Sequence, residues 1–314
     1  MIIAKKISLL IQKFNFINIL FTLLLIFSLL GCISYNKTFA IRTRVSKNPG
    51  LNDGLVPQGL TWNNDDEAFY TTGYMNDDGP SRIYRIDKKT NIINFFSLKK
   101  NGKDFFGHTG GLQYSDGLFY LANESDGIYI FSIDFEKKLK SIDIGNRISV
   151  NNNSSFIFAD KNFIYVGEFH NGKKYKCYHD FTFNEITNNA IVTKYPKGNY
   201  TTPVAIYSIP DMIQGFAILP NGTIILSQSY GLRPSKFLIY NQEHQILTGK
   251  YMYGLEVCFL DKPTKVLSAP PMSEDLDIYN GQVIYMSESA SKKYVIGSVF
   301  FERYIYSLDI NKKN

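Results

Sequence analysis

Polar side chains that could hold a ligand recur at two positions of a repeated strand–turn–strand pattern. One position is the start of the first strand, and the other is the end of the second strand. The candidate binding residues at these positions are Gln58, His108, Glu124, Glu168, Gln214, Glu274 and Glu288. Carboxylate and amide oxygens suit a hard cation such as calcium or the polar groups of a small molecule. Glu274 and Glu288 are the candidate metal ligands, and His108 is a candidate general base.

The repeated pattern is clearest between residues 273 and 294. A strand pattern over Leu276–Tyr279 is followed by the turn Asn280-Gly281 and by a second strand over Gln282–Ser287. Asn-Gly between two such strands is a strong hairpin signal. The pattern occurs five times at intervals of roughly 45–60 residues, as in propeller blades. We therefore predict an all-β fold, a β-propeller of five blades. Six blades are the alternative, if residues 171–213 or 241–270 hide a degenerate one.

The propeller prediction places the candidate residues together. The first strand of each blade lines the channel and the second runs back, so the start of one and the end of the other share a face. The candidates should therefore meet at the channel mouth, and the hairpin turns should lie at the opposite end. Because no Lys or Arg stands at these repeat positions, the carboxylates should raise each other's pKa unless a cation intervenes.

The repeat phrases carry a family resemblance. "QGL", "GGL", "QGF" and "EDL", with a second strand ending in "SES", resemble extracytoplasmic propellers of the gluconolactonase, strictosidine-synthase and NHL-repeat type over about residues 55–310. In the lactonases of this group a divalent cation lies at the channel mouth, held by a carboxylate at a first-strand start. The resemblance places Glu274 in that role. Several other positions carry Gln, Ser or Thr where the lactonases have Asn or Asp.

The first 31 residues have the composition of a secretory signal. Lys5, Lys6 and Lys13 precede an apolar stretch that ends in Leu29-Leu30-Gly31-Cys32, which resembles a bacterial lipobox. We predict a lipoprotein signal peptide over 1–31 and a lipid on Cys32, which would anchor the chain to a membrane. Ordinary secretion with cleavage after Ala40 and an uncleaved anchor helix are the alternatives. All three place the chain outside the cytoplasm.

The rest of the chain divides into a short tether and one domain. Residues 32–54 should form the tether, with a strand near Ile41–Val45 that could close the ring, and residues 55–314 a single propeller. The polar stretch 171–203 is predicted to be an insertion loop that returns to the strand pattern at Val204. Cys177 and Cys258 could form a disulfide or remain buried thiols.

Charge and motifs narrow the function classes. The net charge of +6 falls to +3 without the three lysines of residues 1–31, and no basic stripe predicts nucleic-acid binding. No Ser-His-Asp grouping, P-loop or HExxH motif occurs, and enzyme activity stays uncertain. The sequence favours a module that binds a small molecule or an envelope protein at the channel mouth. A divalent-metal hydrolase of lactones or esters and a scaffold of an envelope complex are the alternatives.

Overall fold

A computed structural model describes residues 18–19, 21–22 and 42–311, with gaps at 125–126, 136, 138, 178, 295 and 298–301. The chain divides into two units, Met1–Ala40 and Ile41–Asn314. The predicted signal peptide lies almost wholly outside the described residues, and so does Cys32. None of the helical segments that the structure describes is long and apolar enough to cross a membrane.

The second unit is a ring of five blades, and its strands are numbered β1 to β25 in chain order. Each blade contributes its innermost strand to a central channel. These inner strands are β2 (Leu55–Asn63), β7 (Gly111–Ser115), β11 (Phe156–Ala159), β17 (Ile213–Ile218) and β23 (Ser273–Tyr279). Each packs against the next, and β23 packs against β2, so the ring is closed. The predicted five-bladed propeller is confirmed.

Blades 1 and 2 are built from consecutive antiparallel strands. Blade 1 follows a short 3₁₀ helix (Leu51–Asp53) and continues from β2 through β3 (Ala68–Met75), β4 (Arg82–Asp87) and β5 (Ile93–Lys100). The two-residue β6 (Lys103–Asp104) pairs with β5. Blade 2 has three strands, namely β7, β8 (Leu118–Ala122) and β9 (Ile128–Phe131). The next strand, β10 (Ser141–Asp143), pairs in parallel with β5 of blade 1.

Blade 3 contains a strand within residues 171–203, the stretch predicted to be a loop. Its chain continues from β11 through β12 (Phe163–Gly167), β13 (Phe181–Phe183), β14 (Ile186–Asn188), β15 (Ala190–Pro196) and β16 (Ala205–Ile209). β13 and β14 form a separate hairpin, and β15 pairs with both β12 and β16. The prediction of one loop over 171–203 is therefore wrong. Four buried residues in a row begin β15, so it lacks the alternation that marks a half-exposed strand.

Two strands that follow blade 4 in the chain belong to the sheet of blade 3. After β17 come β18 (Ile224–Gln228), β19 (Ser235–Tyr240), a 3₁₀ helix (Gln242–His244), β20 (Gln245–Met252), β21 (Leu255–Leu260) and β22 (Lys265–Ala269). β22 is the outer strand of blade 4, whereas the β20–β21 hairpin joins blade 3 through parallel pairing of β21 with β16. Residues 241–270 therefore hold no sixth blade. Cys258 in β21 and Cys177 are both free thiols.

Blade 5 is completed by a strand from the other end of the chain. Its chain continues from β23 through β24 (Gln282–Ser287) and β25 (Tyr304–Leu308), and its outer strand is β1 (Arg42–Lys47). β1 pairs antiparallel with β25, with Arg42 opposite Leu308. The Arg42 guanidinium also forms a salt bridge with Glu302, whose side chain is 1% exposed.

Aromatic rings fill the spaces between neighbouring blades. Tyr70 of blade 1 contacts Phe119 of blade 2 with ring centroids 4.9 Å apart. Phe237 of blade 4 contacts Tyr285 of blade 5 at 4.7 Å. Such large buried faces explain why aromatic residues recur along the strands, because each blade must bury both of its faces.

Glycines in the repeat phrases allow the inner strands to approach closely. A Cβ added to Gly59 would lie 2.6 Å from the Leu112 nitrogen on the next blade. A Cβ added to Gly215 would lie 2.9 Å from the Asp275 Cα. Both distances are shorter than any normal contact, so the narrow ring excludes a side chain there. The glycine of "QGL" and "QGF" is therefore a packing requirement of the channel.

Asp275 occupies the corresponding position of blade 5 and links three inner strands. Its Oδ2 accepts hydrogen bonds from the backbone nitrogens of Leu60 (3.2 Å) and Leu112 (3.1 Å), and its Oδ1 accepts one from Leu276 (3.0 Å). The side chain is fully buried. Burial raises its pKa well above the usual value, against the effect of these backbone donors. Asp275 thus holds β2 and β7 against β23, beside the candidate residue Glu274.

The hairpin turns lie away from the strand ends that carry the candidate residues. Gly117, Gly222 and Gly281 have φ values of 78°, 80° and 73°, which glycine adopts without strain. Gly222 and Asp116 line a cavity with Asp277, which belongs to the turn end of β23. The predicted turn positions are therefore correct, and the candidate residues belong to the opposite end of the ring.

Candidate functional site

Six of the seven candidate residues line one cavity at the channel mouth. The cavity has a volume of about 310 Å³ and lies where the inner strands begin. The six are Gln58, His108, Glu124, Gln214, Glu274 and Glu288. We call this space the mouth cavity. It is at the lower end of the range for small-molecule pockets, about 300–1,000 Å³.

A chain of polar contacts crosses the mouth cavity. His108 Nδ1 lies 3.4 Å from Glu124 Oε2, and His108 Nε2 lies 3.1 Å from Gln58 Oε1. Gln58 Nε2 donates to Glu288 Oε2 (2.8 Å) and to the Pro57 carbonyl (3.0 Å), which fixes the orientation of the amide. Both ring nitrogens of His108 therefore face acceptor oxygens. His108 thus connects Glu124 with Gln58 and, through the Gln58 amide, with Glu288.

Glu274 is the least satisfied polar group of the mouth cavity. Its side chain is 2% exposed and lines the cavity. No residue that the structure describes donates a hydrogen bond or offers a cation to its carboxylate. Burial, followed by the charges of Glu288 and Asp275, raises its pKa well above the usual value. A buried carboxylate without partners lowers the stability of the ligand-free protein. A ligand that supplies hydrogen-bond donors or a positive charge would remove this cost.

Glu288 is partly compensated. Burial raises its pKa to about 7, although Tyr294, Lys293, His108 and Gln58 favour the charged form. Glu274 and Glu288 therefore differ, because Glu288 has donors and a nearby cation and Glu274 has neither. An added positive charge would be attracted most strongly to Glu274.

The loop after β24 adds residues that repeat positions did not predict. Lys293 donates a hydrogen bond from Nζ to the Tyr74 hydroxyl and lies 4.5 Å from that ring's centroid. Tyr294 lies with its hydroxyl 3.5 Å from that of Tyr74. No Lys or Arg stands at the repeat positions themselves, but Lys293 reaches the mouth cavity from outside the repeat. The run Lys292-Lys293-Tyr294 was the available sequence signal.

Three more aromatic residues form a cluster at the mouth cavity. Phe169 lies with its ring centroid 5.6 Å from Tyr175 and 6.3 Å from Tyr230. All three line the mouth cavity. The lining of the cavity thus combines carboxylates with aromatic rings.

Glu168 does not line the mouth cavity. Its carboxylate accepts hydrogen bonds from the backbone nitrogens of Asn153 and Ile191 (both 3.2 Å) and lies 3.1 Å from His179 Nε2. It lines a separate cavity of about 290 Å³, which Glu124 also borders. The hydrogen bonds indicate that Glu168 holds β12 and β15 in place.

Glu274 and Glu288 supply too few oxygen ligands for a calcium ion. Calcium takes about six to eight oxygen ligands. Gln58 Oε1 already accepts from His108, which leaves the Gln214 amide as the next donor among the predicted residues. Among residues 42–311, apart from the gaps given above, no group of three His, Cys, Asp or Glu could hold a metal ion. The residues present do not fit a calcium site made by protein ligands alone, and calcium binding stays a prediction.

Comparison with known proteins finds solved structures of low similarity. No protein-family model matches the sequence, and no curated protein matches it. Among solved structures, the GH43_1 enzyme from Xanthomonas citri complexed with xylose is 10% identical, with a TM-score of 0.48, over 87% of this chain and 91% of that one. BamB from Moraxella catarrhalis is 7% identical, with a TM-score of 0.35, over 82% and 84%.

A third similar structure is Kuenenia stuttgartiensis hydrazine synthase. It is 14% identical, with a TM-score of 0.38, over 75% of this chain. The present chain spans only 56% of the hydrazine synthase chain. Similarities this low concern the fold alone, so the strand pairing and the closed ring carry the assignment. The chain is a five-bladed β-propeller.

Proposed function

We propose that this propeller binds a small molecule in the mouth cavity, outside the cytoplasm and anchored to a membrane by a lipid on Cys32. The observation that carries the binding proposal is Glu274, a buried carboxylate that lines the cavity and has no partner among the described residues. Binding pockets commonly combine apolar walls with a few convergent polar groups. Aromatic walls and carboxylates combine in this way here.

A mixed small-molecule library tests the binding proposal. We expect ligand-observed NMR to find hits that lose binding when Glu288→Gln removes the charge next to Glu274. The control is Lys161→Ala in the cavity at the turn end, which should leave the hits unchanged because Lys161 is far from the mouth. A screen without hits, or hits that bind equally well to Glu288→Gln, would contradict the proposal.

A binding module is favoured over the metal-dependent hydrolase. The hydrolase implied by the family resemblance needs a cation to polarise the substrate carbonyl. The mouth cavity offers Glu274 and Glu288 for that cation, and these donors do not fit calcium as protein ligands alone. Binding requires only the cavity and its unmatched carboxylate. A scaffold role, the other alternative, would not account for Glu274.

The lipid anchor predicts a specific effect of Cys32→Ser. Residues 29–32 match a lipobox-like pattern, and the cysteine thiol is the atom that would receive the lipid. Serine offers no thiol, so we expect unprocessed precursor or release from the membrane fraction. Fractionation and intact mass measurement of the mature chain test this. A Cys32→Ser protein that stays with membranes at the parent's mature size would exclude the lipoprotein assignment.

A further inference from the structure

The charges of the mouth cavity leave one carboxylate uncompensated. His108 lies between Glu124 and Gln58, and the Lys174 ammonium also acts on Glu124. Lys293 acts on Glu288. Glu274 has no such neighbour among the described residues, because only Glu288 and Asp275 exert charge on it, and both are acids. A ligand that carries a positive charge would therefore supply Glu274 with the partner that it lacks.

The acceptors in the cavity call for a ligand that donates hydrogen bonds. Neither Glu274 nor the Gln214 amide forms a hydrogen bond with the described residues. Their strands are neighbours, since a Cβ on Gly215 would lie 2.9 Å from the Glu274 carbonyl oxygen. A primary ammonium group has three N–H donors and can serve several acceptors at once. A quaternary ammonium has none and would leave these acceptors unsatisfied.

The walls suit the carbon part of a cationic ligand. Five aromatic residues line the mouth cavity, namely Tyr74, Tyr294, Phe169, Tyr175 and Tyr230, and Phe169 contacts both Tyr175 and Tyr230. The face of an aromatic ring attracts a cation, and its area covers apolar carbon atoms. Lys293 already lies against Tyr74 and Tyr294 in this way, at 4.5 Å and 5.4 Å from their centroids. Lys174 lies 5.0 Å from the centroid of Tyr175, so Phe169 and Tyr230 are the lining rings without a cation contact among the described residues.

We propose that the ligand is a small primary amine, whose ammonium group binds Glu274 and the Gln214 amide and whose carbon part packs against Phe169, Tyr175 and Tyr230. This inference rests on the proposed function and specifies the chemistry of its ligand. The volume of about 310 Å³ limits the ligand to one small molecule.

Matched probes separate charge from shape. We expect benzylamine and n-butylamine to give saturable binding in ligand-observed NMR titrations near pH 7.5. Their neutral counterparts benzyl alcohol and 1-butanol should bind at least ten-fold more weakly. Trimethylbenzylammonium, which keeps the charge and lacks N–H donors, should also bind at least ten-fold more weakly than benzylamine. Glu274→Gln should weaken benzylamine by at least ten-fold, whereas Lys161→Ala at the other end should not.

The outcomes distinguish this inference from the proposed function. Equal binding of benzylamine and benzyl alcohol, or unchanged benzylamine binding by Glu274→Gln, overturns the amine inference. If the mixed library yields mouth-cavity hits without an ammonium group and no amine binds, the proposed function stands and the inference fails. Stoichiometric displacement of benzylamine by CaCl₂ would instead return the site to the metal assignment. A library without any hit would contradict both.

Discussion

Replacing Asp275 by alanine is expected to lower the free energy of unfolding by about 2–5 kcal/mol, because two backbone N–H groups of neighbouring blades lose their acceptor and stay buried. Leu60 and Leu112 both donate to Asp275 Oδ2, and the side chain is fully buried. The narrow channel leaves other acceptors little room to move in. Urea denaturation at constant pH, with the slope checked for two-state behaviour, measures the change.

Asp275→Asn is the matched control for that experiment. Asparagine keeps one oxygen that can accept from Leu60 and Leu112, and it loses only the local contact of Oδ1 with the nitrogen of the next residue, Leu276. It also removes a carboxyl whose pKa burial has raised, so the loss should be well below that of alanine. Equal losses for alanine and asparagine, or no loss for alanine, would show that Asp275 does not join the inner strands.

Replacing Glu274 by glutamine is expected to raise the stability of the ligand-free protein at pH 7 by about 1–3 kcal/mol, because an unpaired buried carboxylate is costly. Burial raises the pKa of Glu274 in the folded state well above the usual value of a glutamate. Below about pH 4.5 the group is protonated in both the folded and the unfolded state, so it does not lower the free energy of unfolding. That free energy falls as the pH rises toward the folded-state pKa. Parent and variant should converge near pH 4 and diverge above pH 5.

Only the difference between parent and variant is diagnostic here. Asp277, whose pKa burial raises to about 7, lowers the stability of the parent and of the variant alike over the same pH range. The exposed Glu185→Gln should leave the pH profile of thermal unfolding unchanged. A Glu274→Gln protein that is less stable at pH 7, or whose difference from the parent is as large at pH 4, would mean that Glu274 is satisfied in the fold. Together with weaker benzylamine binding, the expected result would identify a residue that favours ligand binding at the expense of stability.

The inner half of every blade was predictable from sequence. Turns such as Asn280-Gly281 fix the register of the flanking strands, and the predicted Gln282–Ser287 coincides with β24. The outer strands were harder. β15 is buried on both faces at its start and so lacks alternation. The β20–β21 hairpin follows blade 4 in the chain and pairs with blade 3, and local sequence does not determine which neighbour such a hairpin chooses.

The candidate site was predictable only as far as the repeat extends. Glu274, Glu288, Gln58 and Gln214 reach the mouth cavity because equivalent repeat positions meet at one end of a ring. Glu168 has the same repeat position, but the nitrogen of Ile191 and the His179 ring draw its carboxylate away. Both partners lie in residues 171–203, the stretch predicted to be a loop. Lys293 lies outside the repeat, so its place depends on the path of an irregular segment.

β1 can pair with β25 only after the chain has been made through Leu308. Arg42 bonds to Glu302, which is 260 residues later in the chain. β1 therefore has no partner until the last part of the chain has been made, and its hydrogen-bonding edge must wait unpaired. Contacts between such distant segments slow folding, and partly closed rings expose strand edges that can pair with other chains. Pairing of β1 with β25 should thus be a late step, and loss of β25 should leave β1 and β24 with exposed edges that promote aggregation.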